Sequence, residues 1–218
     1  MTDLSWLFDP RTLLFLAGGL GITLALAAIS IAISFIAGVL LALARLSRFR
    51  PLSIVATIYI EGMRALPTLL VIFFAFFALP RIIGFKLAPF TAGAVALSAF
   101  TAALIAEIVR AGILAVPKGL TEAAQSQGLS GGQVMRIITL PIAVRQMMPA
   151  LVAQFVTLLK DTSLTAVINV LDLTARGQIV FSQPPYQPIP VFALIALIYF
   201  TVNFGLGQIG RRLETRTL

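Results

Sequence analysis

Residues 12–44 read TLLFLAGGLGITLALAAISIAISFIAGVLLALA, a run without one charged side chain. Crossing the hydrocarbon core of a bilayer takes about 20 mostly apolar residues, so this run is a transmembrane helix with length to spare. The rest of the chain has the same character. Of its 218 residues 59% are hydrophobic and 11% charged, and the mean hydropathy is +1.02. That is far more apolar surface than a soluble core consumes, and it makes lipid the solvent for most of the chain.

The composition also excludes chemistry. The chain has no Cys and no His, which removes thiolate nucleophiles, disulfides, imidazole bases and the common ligands of zinc and haem. No metal site and no catalytic residue is expected. The net charge of +8 does not point to nucleic acid, because the bases sit between the apolar runs and form no basic face interleaved with aromatics. The opening MTDLSWLFDP is acidic rather than basic. The apolar run after it far exceeds a signal-peptide core of about 7–15 residues, so no cleaved signal is expected.

Working outward from the first span, the basic turn Arg45-Leu-Ser-Arg48-Phe-Arg50-Pro51 leads to a second apolar stretch that ends near Pro80 and contains Glu61 and Arg64. It reads either as one long tilted helix or as an interfacial segment leading into a shorter span. Pro80 to Pro89 reads as a loop. A third span runs from about Phe90 to Val116, a fourth from Met148 to Leu171 and a fifth from Val191 to Ile209. The proline-punctuated segment from Asp172 to Pro190 reads as a loop. The fold expected is an all-α integral membrane protein with about five transmembrane helices, residues 1–218 forming one domain.

Arg45, Arg48, Arg50, the bases of the Arg110 to Arg145 region, and Arg211, Arg212 and Arg216 fall on one side of this arrangement. Arg11, Arg81, Lys86 and Arg176 fall on the other. By the positive-inside rule the first side is cytoplasmic, which puts the N-terminus outside and the C-terminus inside.

The one extended polar stretch runs from Pro117 to about Arg145, with residues 117–141 as a loop within it. Thr121 precedes Glu122-Ala-Ala-Gln-Ser-Gln127, a run of helix formers, and Gly128 is a natural stop. Ser130-Gly-Gly-Gln133 fits a capping box that opens a second helix, expected to end at Pro141. A cytoplasmic helix-turn-helix follows. The set Glu122-Ala123-Ala124, Gly128, Ile138 and Leu140-Pro141 resembles the EAA loop of the membrane subunits of bacterial ABC importers, with its spacing of three, nine and one residues. Glu107-Ile-Val-Arg110, Val116-Pro-Lys-Gly119 and Lys160-Asp161-Thr162-Ser163-Leu164 are similar to segments of the polar amino-acid branch. One departure is Arg64-Ala65-Leu66-Pro67, where that branch commonly has Gly or Ser and then Thr or Ile before the proline.

The resemblance implies the type I importer fold and a permease subunit of the bacterial inner membrane, importing a polar amino acid by alternating access. It further implies that 117–141 carries a coupling helix docking on a cytoplasmic ATPase dimer through Glu122, Ala123, Ala124, Gly128, Leu140 and Pro141. ATP and Mg2+ belong to that ATPase, and this chain binds no cofactor. The other implied partners are a second copy or paralogue of the permease and an extracytoplasmic amino-acid-binding protein.

A charge inside the membrane costs about 2.5–3.5 kcal/mol on insertion scales, so such groups pair or line a polar path. Arg64, Lys160, Asp161 and Thr162 are the candidates for substrate binding. Lys160 and Asp161 point about 100° apart on a helix and offer a donor and an acceptor to the two ends of a zwitterion. The competing reading is structural, with Lys160 paired to Glu61 or Asp161 to Arg64. Arg64 and Lys160 together favour glutamate or aspartate as substrate. The rival functions are a self-sufficient ion-coupled transporter or channel, with Glu61, Arg64, Lys160 and Asp161 as its relay, and a membrane enzyme using Asp161 as base.

Overall fold

The computed structural model describes residues 9–183 and 187–217. The acidic residues 1–8 and Pro184, Pro185 and Tyr186 of the proline-rich segment lie outside it, as do the side chains of Arg211, Arg212 and Arg216. Among the described residues helices joined by short connections make up the structure, and there is no strand. In order they form α1 (Pro10–Arg45), α2 (Arg50–Ala65), α3 (Thr68–Phe73), α4 (Leu79–Ile83) and α5 (Pro89–Leu114). Then come α6 (Lys118–Ser126), α7 (Gly131–Val134), α8 (Leu140–Asp161), α9 (Leu173–Phe181) and α10 (Pro188–Thr217). Among the described residues four helical stretches are long and apolar enough to cross a membrane, and the bent pair Arg50–Ala65 and Thr68–Ile83 makes a fifth if taken as one span.

The bundle is built around α5, whose most apolar window is 67% buried against 28% for α1. Lipid supplies no hydrophobic drive between helices, so close packing must hold them together, and small residues permit it. Ala92, Ala96, Ala102, Ala103 and Ala106 of α5 are buried. At Gly38 of α1 an added Cβ would lie 2.7 Å from the Cβ of Ile105 and 2.9 Å from the carbonyl oxygen of Ala102. Only glycine lets the two backbones come this near. Large apolar side chains such as Leu14, Ile36 and Leu40 remain outside, a surface that lipid rather than water can cover.

The second apolar stretch is neither straight nor merely tilted. Leu66 is extended, with φ −94° and ψ 145°, as a residue before proline prefers. The chain turns by 110° there. Helix α2 therefore lies across the end of the bundle marked by Arg45, and α3 leads into the bundle, as the interfacial alternative requires. The loop expected from Pro80 begins later, because the helix continues to Ile83 and stops at Gly84, whose φ is +82°.

Two prolines expected to end or follow helices are absorbed by the same device. A π-helical turn, Phe74–Ala78, precedes Pro80, and another, Met135–Thr139, precedes Pro141. In each, the residue before the proline donates five positions back, Leu79 to Phe74 and Leu140 to Met135. The widened turn moves the carbonyl that the ring would strike. The second helix of the hairpin thus does not end at Pro141 but runs on as α8, passing Pro149 as well.

The fourth crossing is broken near its middle. Ala143 and Met147 pack in one cluster with Ala42, while Leu158 and Leu159 pack with Ala27, so α8 climbs from the Arg45 end to the middle of α1. A 3-10 turn, Thr162–Ile168, follows, and Asn169 adopts φ +63°. Leu173 then donates its N–H to Thr23 Oγ1 at 3.1 Å, and Arg176 Nη1 donates to the Phe15 carbonyl at 2.8 Å. Helix α9 therefore carries the crossing on toward the start of α1. This corrects the reading of residues from Asp172 onward as loop: Asp172 caps a helix by accepting from the Ala175 N–H at 2.8 Å.

Candidate functional site

The EAA hairpin stands off the bundle. Helix α6 begins at Lys118, one turn earlier than Thr121 implies, and Thr121 Oγ1 donates back to the Lys118 carbonyl at 2.7 Å. The stop at Gly128 is as expected. Its φ is +86°, its N–H donates to the Gln125 carbonyl at 2.9 Å, and the Leu129 N–H reaches the Ala124 carbonyl at 3.2 Å. These are the two bonds of a Schellman motif. The expected capping box also forms, with the Ser130 N–H donating to Gln133 Oε1 at 2.8 Å. Ala124 is buried against the second limb, whereas Glu122, Ala123 and Gly128 are exposed. Leu140 and Pro141 are exposed too. The hairpin offers a rigid edge with one carboxylate on it.

Arg64 stands elsewhere. It lies in a cluster of five charges joining α1, α2 and α5, where Arg45 donates to Glu61 at 2.8 Å and to Glu107 at 2.9 Å. Arg110 holds Glu107 through two nitrogens, at 2.6 and 3.0 Å. Arg64 approaches Glu61 at 3.4 Å and Glu107 at 4.0 Å. The partners proposed for a structural reading, Lys160 with Glu61 and Asp161 with Arg64, do not meet. Their neighbours explain why: Leu158 and Leu159 hold that part of α8 at mid-bundle beside Ala27, while Glu61 is held by Arg45, and Arg64 by Glu61 and Glu107, at its end.

Lys160 and Asp161 occupy the last turn of α8, at the break in the fourth crossing. Lys160 is exposed and Asp161 half-buried. Ala150, Ala153, Thr157 and Lys160 are all exposed, and their spacing of three, four and three places them on one helical face. Thr162 is different. It is fully buried and its hydroxyl is spent on the Leu159 carbonyl at 2.7 Å, so it shapes the break rather than facing the open stripe.

Sequence reasoning missed a buried polar group beside this break. Asp172 is wholly buried, and its second oxygen accepts from Tyr199 of α10 at 3.3 Å. Tyr199 also meets Thr174 at 3.2 Å. A carboxylate inside a span signals its own importance, but the neighbouring prolines masked the span.

Residues 34–218 match the family model for the binding-protein-dependent transport system inner membrane component. The chain belongs to that family. The permease is 43% identical over 211 residues to the probable glutamine ABC transporter permease GlnP of Bacillus subtilis (strain 168), covering 96% of each chain. It is 35% identical to the arginine transport system permease ArtQ of the same organism, over 93% of this chain and 92% of that one. A crystal structure of an amino acid ABC transporter with histidines superposes with a TM-score of 0.91 at 31% identity, covering 99% of each chain. The permease is thus a multi-pass inner-membrane subunit of an amino-acid ABC importer. It is not itself an enzyme: ATP hydrolysis falls to a separate subunit, and a binding protein belongs to the system.

Proposed function

We propose that the permease imports a polar amino acid of the glutamine type, and that Lys160 and Asp161 receive its α-carboxylate and α-ammonium. The observation that carries this is their placement: a cation and an anion at adjacent positions in the last turn of α8 at mid-bundle, Lys160 on the exposed face it shares with Ala150, Ala153 and Thr157, and Asp161 half-buried beside it. A desolvated zwitterion needs one of each. The preference for glutamate or aspartate loses its basis, because Arg64 is engaged by Glu61 and Glu107. The glutamine specificity in the name of the relative at 43% identity supports the amide. Binding by Arg64 and Thr162 has no such support.

In this reading the Arg45 end is cytoplasmic, the N-terminus lies outside and the C-terminus inside. Glu122, Ala123, Ala124 and Gly128 dock on the ATPase dimer, which holds ATP and Mg2+. Leu140 and Pro141, where α8 takes over from the hairpin, pass the motion into the half-helix carrying Lys160. Residues 117–141 act as a coupling element within one domain of 1–218. A second permease, a copy or a paralogue, closes the stripe on α8 into a pathway. An ion relay through Glu61, Arg64, Lys160 and Asp161 is disfavoured, since the first two are locked into a cluster apart from the second two.

The test is uptake of a labelled amino-acid panel into proteoliposomes holding the permease with its ATPase and binding protein. Glutamine is expected to lead, and Asp161→Asn and Lys160→Gln are each expected to lose at least tenfold, about 1.4 kcal/mol or more. Undiminished uptake by both variants would sink the site.

A further inference from the structure

The elbow between α1 and α2 carries a second feature, outside the ion cluster and the Lys160–Asp161 turn. Arg45, Arg48 and Arg50 fall within six positions, yet among the described residues only Arg45 of the three has acidic partners. Glu61 and Glu107 are the acids of that cluster, and they are already shared among Arg45, Arg64 and Arg110. Arg48 and Arg50 are exposed, and among the described residues neither forms an ion pair. Two cations thus stand uncompensated at one spot.

The surface beside them is apolar. Phe49, between the two arginines, is 65% exposed, and Leu52, Val55 and Ile58 on the outer side of α2 are exposed as well, the last at 68%. The inner side of the helix is already used, with Ala56 and Ile60 buried. Positions 52, 55 and 58 repeat every third residue and make one outward stripe. Since α2 turns across the end of the bundle at the 110° bend, this stripe starts at the arginines and runs along the rim of the membrane domain.

We propose that this elbow is a binding site for an anionic phospholipid, its phosphate held between Arg48 and Arg50 and its acyl chain laid along Leu52, Val55 and Ile58. The charge decides the occupant. A second copy of the chain would bring the same uncompensated arginines against these, whereas an anionic headgroup neutralises them and brings an apolar tail of the right kind. Each basic residue near an anionic headgroup strengthens such binding about fivefold.

The experiment is native mass spectrometry of the full-length permease in a non-ionic detergent, titrated separately with phosphatidylglycerol, phosphatidylcholine and glycerol phosphate. The expected result is phosphatidylglycerol bound well ahead of phosphatidylcholine. Arg48→Gln and Arg50→Gln should each weaken it about fivefold. The charge-preserving Arg48→Lys/Arg50→Lys variant should keep it, and Arg81→Gln/Lys86→Gln at the other end of the bundle should not matter. Ile58→Ser should weaken both lipids. Equal retention of the two lipids overturns the proposal, as does full binding by Arg48→Gln/Arg50→Gln. Displacement by glycerol phosphate alone overturns it in favour of a free phosphate site, and a dimer that dissociates in Ile58→Ser overturns it in favour of a second copy. The lysine variant, folded and fully charged, separates loss of charge from loss of fold.

Discussion

Arg45 Nη1 donates to Glu107 Oε2 at 2.9 Å, tying the last turn of α1 to α5 beside the α2 residues Glu61 and Arg64. Both side chains are about four-fifths shielded, at 18% and 23% exposure. Removing Glu107 leaves three arginines facing one exposed carboxylate. Glu107→Ala is expected to cost about 1–3 kcal/mol and to lower the unfolding temperature in detergent by several degrees. In a double-mutant cycle with Arg45→Ala the two losses should fail to add; simple additivity would mean that the pair contributes nothing.

Gly38→Ala is expected to destabilise the permease, although alanine is the better helix former. The new methyl meets Ile105 and the Ala102 carbonyl at under 3 Å, and backbone of the central helix cannot step aside. Gly21→Ala, with nothing within 4 Å of the added carbon, serves as its counterpart and should be neutral or mildly stabilising. Thermal unfolding of the two variants side by side checks this.

At Gly128 the space is open but φ is +86°. Gly128→Ala should therefore cost about 1–2 kcal/mol through the backbone alone and loosen the turn between α6 and α7. Gly131→Ala, equally uncrowded and without a positive φ, should cost little. The check is ATP-coupled uptake: the first variant should lose much of it and the second should keep it.

Asp172→Ala removes both the cap of α9 and the partner of the Tyr199 hydroxyl. A loss of about 1–3 kcal/mol is expected. Asp172→Asn, which keeps an acceptor for the Ala175 N–H, should recover most of it. Equal losses in the two variants, measured as thermal unfolding, would show that the cap is not what the buried carboxyl provides.

Much of this architecture is legible in the sequence because membrane helices announce themselves by length and charge. Residues 12–44 and the third span stand within a few residues of their expected limits, and Ser130 with Gln133 makes the capping box their types imply. What escaped was governed by proline. Pro67 bends its span through 110°. Pro80 and Pro141 end nothing, since a π turn ahead of each removes the clash. The apolar Leu173–Phe181 helix was hidden by the proline-rich segment that follows it. Of the four candidate binding residues, Lys160 and Asp161 stand together at the break, while Arg64 is held in a distant ion cluster and Thr162 is consumed by its own helix end. Pairing depends on which helix ends meet, which hydropathy does not encode.

On the proposed mechanism, transport runs from a separate ATPase through the hairpin to Lys160 and Asp161. The most direct measurement is glutamine uptake into proteoliposomes containing the permease, its ATPase and its binding protein, with and without internal ATP, for wild type and Glu122→Arg. Uptake is expected only with ATP, and Glu122→Arg is expected to abolish it while the protein stays folded and still binds glutamine. Uptake that persists without ATP, or that Glu122→Arg leaves untouched, would contradict it.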